Sequence, residues 1–256
     1  MTAVPLDLTP APGAAPRSRQ LLAQATMELR LTLRNGEQLL LTVVIPTVLL
    51  ILLTSAPIAD LPKPRIDFLV PGVLALAVMS TAFTGQAIGT GFERRYGVLR
   101  RLGTAPLPRA VLLTAKTVSV LCIEVLQVAL LCVVGLIAGW SPHGNPIAVV
   151  GLLLLGTAAF SALGLLMAGT LRAEVTLAAA NLVYLLLLVL GGVAFPLTDF
   201  SPGVRHVLEL LPISALSDGL RVVLRSGGGT PLHDWVTLAV WAAVAAVAAA
   251  RTFRWD

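Results

Sequence analysis

Residues 147–171 read IAVVGLLLLGTAAFSALGLLMAGTL, a run of 25 positions without one charged side chain. At 1.5 Å of rise per residue a helix of about 20 residues crosses the ~30 Å hydrocarbon layer. The run does not alternate polar and apolar residues, so it is no barrel strand. A lone strand would also leave its backbone unpaired in lipid. The stretch therefore predicts a membrane-spanning helix. Five further apolar stretches flank it. Leu39–Ile58 is uncharged and holds Pro46; Phe68–Phe92 is uncharged with Pro71 and Gly72 near its start. Ala110–Gly139 contains Lys116 and Glu124, and Val175–Phe195 carries the amide Asn181. Trp235–Ala250 is the shortest, alanine-rich, between Asp234 and Arg251.

Composition agrees. The 256 residues are 57% hydrophobic and 12% charged, where a soluble domain has about 25% charged residues. Too little charge is present to cover a soluble globule, which excludes an ordinary soluble enzyme, a disordered chain and a usual nucleic-acid binder. The expected class is an all-α integral membrane protein with six transmembrane helices. Residues 1–17, rich in Ala, Pro and Thr, read as a disordered tail. The first long apolar run begins near Leu39, which argues against a cleaved signal peptide. Residues 18–37 mix leucine with charge and fit both a helical and an alternating period; their place before a span favours an amphipathic helix lying in the interface.

With the N-terminus in the cytoplasm, 13 of the 18 Lys and Arg residues fall on the cytoplasmic side. This bias predicts both termini inside and explains the net charge of +5 without nucleic acid. Two connections are more than turns. Glu93–Arg109 (ERRYGVLRRLGTAPLPR) is charged and cytoplasmic in this topology. Pro196–Thr230 is outside, with apolar residues at helical spacing over 204–211 and 213–224, split by Pro212; it suits a short re-entrant helical hairpin.

Catalytic signatures are missing. There is no G-x-x-x-x-G-K-[ST], no H-E-x-x-H and no G-x-S-x-G. Ser161 is better read as small-residue helix packing. Cys122 and Cys132 stand ten residues apart in one apolar segment, too far along a helix for a disulfide. The three histidines are scattered, with no metal-ligand spacing. Glu124 is the one acid deep in a span. It reads either as a proton or cation site or as an interhelical hydrogen bond, with Gln127 or Asn181 as partner. Lys116, two turns earlier, is expected to snorkel to the cytoplasmic interface. In Glu93–Arg109, Tyr96, Leu99 and Leu102 form one apolar edge of a short helix, opposite Glu93, Arg94, Arg100 and Arg101. Such a helix suits docking into a groove on another protein; the alternative is a positively charged loop touching anionic lipid.

The run Glu93-Arg94-Arg95-Tyr96-Gly97-Val98-Leu99-Arg100-Arg101-Leu102-Gly103-Thr104-Ala105-Pro106 resembles the cytoplasmic motif of type-2 ABC exporter permeases, E-R-x-x-G-T-L-x-x-L-x-x-T-P. Glu93, Arg94, Gly97, Leu99, Leu102 and Pro106 match; Val98 replaces a Thr, Arg100 stands where an acid is common, and Ala105 separates Thr104 from Pro106. Phe195-Pro196-Leu197, Leu211-Pro212 and Asp218-Gly219-Leu220-Arg221 are similar to the family's F-P-L … P-L-T … D-x-L-R signature. The likeness covers about residues 18–254 and is nearest the small permeases of daunorubicin-type drug exporters.

The resemblance implies a permease whose energy comes from separate ABC ATPase subunits. No cofactor is bound by this chain; ATP and Mg belong to that partner. Glu93–Pro106, including Tyr96, Arg100, Arg101 and Thr104, is then the coupling helix, with residues 18–37 as a second contact. A second permease subunit, a copy or a relative, pairs through spans one and five. The pathway lies between the subunits, lined by spans one, two and five. Asn181 is the candidate polar lining group, unless it holds helices together within one subunit, and Glu124 is a second candidate. Phe195, Pro196, Pro212, Asp218 and Arg221 belong to the outer gate, and Gly191-Gly192 would let span five bend. The implied location is the bacterial inner membrane. Few polar groups in the spans favour a hydrophobic or amphipathic compound. The open alternatives are export of a lipid-linked glycan or of ions, a proton-coupled secondary transporter, and a non-transporting membrane scaffold.

Overall fold

The computed structural model describes residues 13–55, 64–193, 196–224, 229 and 231–252. Among these residues there are helices and turns but no strand. Helix α1 (Arg17–Arg34) resolves the ambiguous amphipathic segment as a helix. It lays Gln24 and Ala25 against α6, leaving Leu22, Met27, Leu31 and Leu33 exposed. Arg17 is already helical, and residues 1–12 of the expected tail lie outside the described residues. Asn35 alone separates α1 from α2 (Gly36–Ser55), which contains Pro46.

The second span is one continuous helix, Arg65–Arg95. It runs as α3 (Arg65–Val78), a π-helical segment (Met79–Gly85) and α4 (Gln86–Arg95). After the short α5 (Val98–Leu102) come α6 (Arg109–Ile137), α7 (Pro146–Thr170) and α8 (Ala173–Leu190). A 3-10 turn (Leu197–Asp199) leads to α9 (Pro202–Glu209), α10 (Pro212–Leu224) and α11 (Leu232–Thr252). Five helices, 65–95, α6, α7, α8 and α11, are long and apolar enough to cross a membrane; the described apolar part of α2, Thr42–Ser55, is shorter. The chain is an all-α integral membrane protein.

Helix 65–95 is the hub. Of its most apolar window 83% is buried, against 17% for α8 and for α11, which turn most of their surface outward. It touches α2, α6, α7, α8 and α10. Small residues set how closely α7 fits the bundle. Gly164 faces the backbone of the π segment, Gly156 the Leu216 side chain of α10, and Gly151 the ring of Trp235 on α11. Ser161, on the same helix, is buried, in keeping with a packing role.

Span five ends early. α8 stops at Leu190 rather than continuing to 195, and Gly192 takes a left-handed φ of +68° that L-residues avoid. Just beyond the helix end, the carbonyls of Gly192 and Val193 accept hydrogen bonds from Arg221. The segment split by Pro212 is a helical pair, α9 and α10. α10 is buried along most of its length against α3, α7 and α11.

Candidate functional site

Three places gather the residues singled out by sequence. The first is the Glu93 end of the bundle. Glu93 and Arg94 are not part of the short helix α5, as the expected Glu93–Pro106 helix would have them; they lie in the last turn of α4. Tyr96 leaves the helix, and Gly97, at φ +72°, turns the chain into α5. A residue with a Cβ is strained in that region. The expected apolar edge of Tyr96, Leu99 and Leu102 is therefore divided. Leu99 is fully buried with Leu112 and Leu165, and Leu102 packs beside them. Tyr96 is 69% exposed and stacks on Phe92. Arg100, Arg101, Thr104 and Pro106 are exposed. α5 thus sits on α6 and α7 through leucines and presents two arginines and a tyrosine outward.

Arg94 turns inward. Its guanidinium donates to the carbonyl of Ala168 at 2.9 Å and to that of Leu171. These belong to the end of α7, where helical carbonyls lack intrahelical partners. Arg95 pairs with Glu174 at the start of α8. Glu93 also turns inward. Lys116 Nζ lies 2.6 Å from Glu93 and 3.0 Å from Glu28 of α1. Gln24 donates to Glu28 as well, at 2.8 Å. Lys116 is only 4% exposed, so the expected snorkelling to the interface is wrong: two carboxylates from α1 and α4 hold the ammonium inside. Removing one member of a buried ion cluster leaves uncompensated charge. Lys116→Met should therefore cost about 3 kcal/mol, the low end for a buried cluster because Glu93 keeps some solvent access. Lys116→Met with Glu28→Gln and Glu93→Gln should regain most of the loss in thermal unfolding. Equal melting of the single and triple variants would refute a structural role for the charges.

The second place is a groove of about 570 Å³ between α2, the π segment with α4, and α8. Thr42, Ile45, Ser80, Thr84, Asn181 and Tyr184 line it. Asn181 is exposed there and donates to Leu177 O of its own helix at 2.9 Å, so it does not join helices within the subunit. Thr84 Oγ1 is buried without a hydrogen-bond partner. Glu124 is elsewhere. It lies buried between α6 and α7 and accepts a hydrogen bond from Thr157. Neither Gln127 nor Asn181 is its partner: Gln127 donates to Thr42 O and accepts from Thr81. Thr157 escaped sequence reading because a lone threonine in an apolar run has no signature; Glu28 escaped it as one charge among several in residues 18–37.

The third place is the opposite end. Phe195 lies outside the described residues. Pro196 precedes the 3-10 turn, and Pro212, buried, starts α10. Arg221 gathers this end. Its guanidinium donates to Phe68 O (3.2 Å), Gly192 O (2.8 Å), Val193 O (3.2 Å) and Asp218 (2.7 Å). It also lies 3.7 Å from the centre of the Phe68 ring, a cation–π contact. Burial pushes the Asp218 carboxyl above its usual range, with Arg221 opposing the shift. Gly72 leaves room for this arrangement, since a Cβ there would lie 2.8 Å from Val193 O and 2.9 Å from Arg221 Nη2.

No group of His, Cys, Asp and Glu able to hold a metal is found among the described residues. A family model described as ABC-2 type transporter matches residues 19–224, a span that contains all three places. The chain belongs to the ABC-2 type transporter family. It is a multi-pass membrane permease component of such a transporter. A search of curated proteins returns no match.

Proposed function

We propose that this chain is the membrane-spanning half of an ATP-driven exporter, driven by separate ABC ATPase subunits that carry ATP and Mg. In this reading it works in a bacterial inner membrane with both termini in the cytoplasm. It moves a hydrophobic or amphipathic compound outward, along a path between itself and a second permease subunit. The observation that carries the reading is the geometry of α5. Its leucines are sunk into α6 and α7 while Tyr96, Arg100 and Arg101 face away from the bundle. A push on that surface has firm connections to follow. Leu99 bears on α6 and α7, Arg94 grips the end of α7, and Lys116 ties α1 and α4 to α6. ATP-driven closure of the partner would favour one orientation of these helices by differential contact.

The groove between α2, α4 and α8 supports the path. Hydroxyls and an amide at membrane depth are costly facing lipid and suit an aqueous or substrate-lined interface. Glu124 lies away from this groove, which weakens the ion-coupled alternative.

The test is co-purification with candidate ABC ATPases from the same genome. A detergent-stable complex is expected for the wild-type chain. Tyr96→Ala with Arg100→Glu and Arg101→Glu should abolish it while leaving the melting temperature unchanged, because these side chains are exposed. Survival of the complex would show that the coupling surface lies elsewhere. Failure of any ATPase to bind the wild-type chain would count against the exporter reading itself.

A further inference from the structure

Helix α1 carries a stripe of positive charge on the side turned away from the bundle. Arg19, Ala23, Thr26, Arg30 and Arg34 fall at i, i+4, i+7, i+11 and i+15, one line along a helix. All five are exposed. By the same helical spacing Leu22 and Leu33 border the line on one flank and Met27 and Leu31 on the other, and these four are exposed as well. Around Arg30 and Arg34 the surface forms an open groove of about 490 Å³, with Leu22, Thr26, Met27 and Leu31 in its walls.

The stripe has no counter-charge on its own helix. Glu28 is the only acid in α1. It stands on the opposite face, bound to Lys116 and Gln24. Neither Arg30 nor Arg34 has a hydrogen bond or ion pair among the described residues. Thr26 spends its hydroxyl proton on Leu22 O at 2.7 Å, so the two guanidiniums are the side-chain donors left in the groove. The stripe also sits where the chain enters the bilayer, since Asn35 alone separates Arg34 from α2.

Water suits the arginines but not four bare apolar side chains; hydrocarbon suits the reverse. The boundary of an anionic leaflet suits both, with leucine and methionine against acyl chains and guanidiniums at the level of the phosphates. An acidic head group supplies the missing negative charge, and an arginine fork matches a phosphate. A zwitterionic head group brings its own cation to the same arginines. A protein partner would need an acidic strip with apolar pockets on both sides of it.

We propose that this face of α1 binds an acidic phospholipid of the adjoining leaflet, its phosphate held between Arg30 and Arg34 and an acyl chain lying along Met27 and Leu31. The lipid is a resident ligand, not the transported compound, and the inference does not depend on the exporter reading. With Lys116 gripping Glu28 on the other face, the leaflet and the bundle hold α1 from two sides.

The test is native mass spectrometry of the full chain, purified in detergent and mixed with equal amounts of phosphatidylglycerol and phosphatidylcholine of identical acyl chains. The wild type should retain phosphatidylglycerol at least ~5-fold over phosphatidylcholine, a factor equal to about 1 kcal/mol, the usual worth of one arginine near an anionic surface. Raising the ionic strength from about 0.1 to 1 M shortens the screening length from about 10 to 3 Å and should remove most of the preference without any mutation. Arg30→Gln with Arg34→Gln should bring the two lipids level and leave the melting temperature unchanged, because both side chains are exposed. Arg100→Gln with Arg101→Gln removes the same charge from α5 and should keep the preference. Equal retention of the two lipids by the wild type, or a preference indifferent to salt, would overturn the proposal. So would a preference that survives in the Arg30 and Arg34 variant, which would place the site elsewhere, or one lost equally in the α5 variant, which would reduce it to overall charge. If the Arg30 and Arg34 variant keeps its lipid preference but loses a co-purifying ABC ATPase, α1 is a protein contact and the lipid site falls.

Discussion

Replacing Arg221 with alanine should lower the stability of the purified chain by at least about 3–5 kcal/mol, the usual loss when one partner of a buried charged network is removed. In thermal unfolding this corresponds to a drop of roughly 10 °C or more for a chain of this size. The reason lies in what the guanidinium satisfies. It donates to the carbonyls of Phe68, Gly192 and Val193 and to the Asp218 carboxylate. These groups come from α3, from the turn that ends α8, and from α10, so one side chain joins three elements. Alanine would strand the carbonyls and leave Asp218 without its cation in a mostly buried setting. Arg221→Lys should recover only a minor part, because a single ammonium lacks the planar fork that reaches acceptors on several sides. An Arg221→Ala chain that melts within about 2 °C of wild type would mean the clamp does not hold this end together.

Gly164 carries the second large effect. A Cβ at this position would lie 2.7 Å from Phe83 O and 3.2 Å from Ala82 O. Both are backbone atoms of the π segment, so no side-chain rotation relieves the clash. Gly164→Ala should cost about 2 kcal/mol, within the usual range for overpacking a tight contact. Gly164→Val should cost more than ~3 kcal/mol, by forcing α7 away from helix 65–95. The yield of monodisperse protein and its melting temperature should fall in the order Gly, Ala, Val. A valine variant as stable as wild type would show that α7 and the π segment are free to separate.

The class of the protein was legible because it depends on local composition. Runs of 20 or more uncharged residues have one solution in lipid, the helix, and each run carries that information without help from its neighbours. The break at Pro212 likewise follows from a residue that cannot continue a helix. Motif order at Glu93–Pro106 and Asp218–Arg221 pointed to the family that the residues 19–224 match then showed.

Other features had no local signal. The π segment at 79–85 is uncharged and mixed in composition, like the helix around it. Lys116 looked ready to reach the interface because its partners, Glu28 and Glu93, are 88 and 23 residues away in sequence. Glu93 and Tyr96 looked like members of one amphipathic helix, since periodicity does not register the left-handed turn at Gly97. Asn181 was the first candidate for a polar lining group and Glu124 the second; packing separates them, one into an open groove and the other between α6 and α7.

The division has a plain cause. Insertion into a bilayer is decided segment by segment, by the transfer of apolar side chains and the closure of backbone hydrogen bonds within each helix. One sequence therefore suffices to show that the apolar runs are helices, but not where each one stops: α8 ends at Leu190 and Gly97 divides the Glu93–Pro106 segment. Once every helix is apolar, hydrophobicity no longer distinguishes one face from another. Small residues, hydroxyls and rare charges then choose the neighbours. Arg221, Lys116 and Gly164 acquire their roles only when distant segments meet around them.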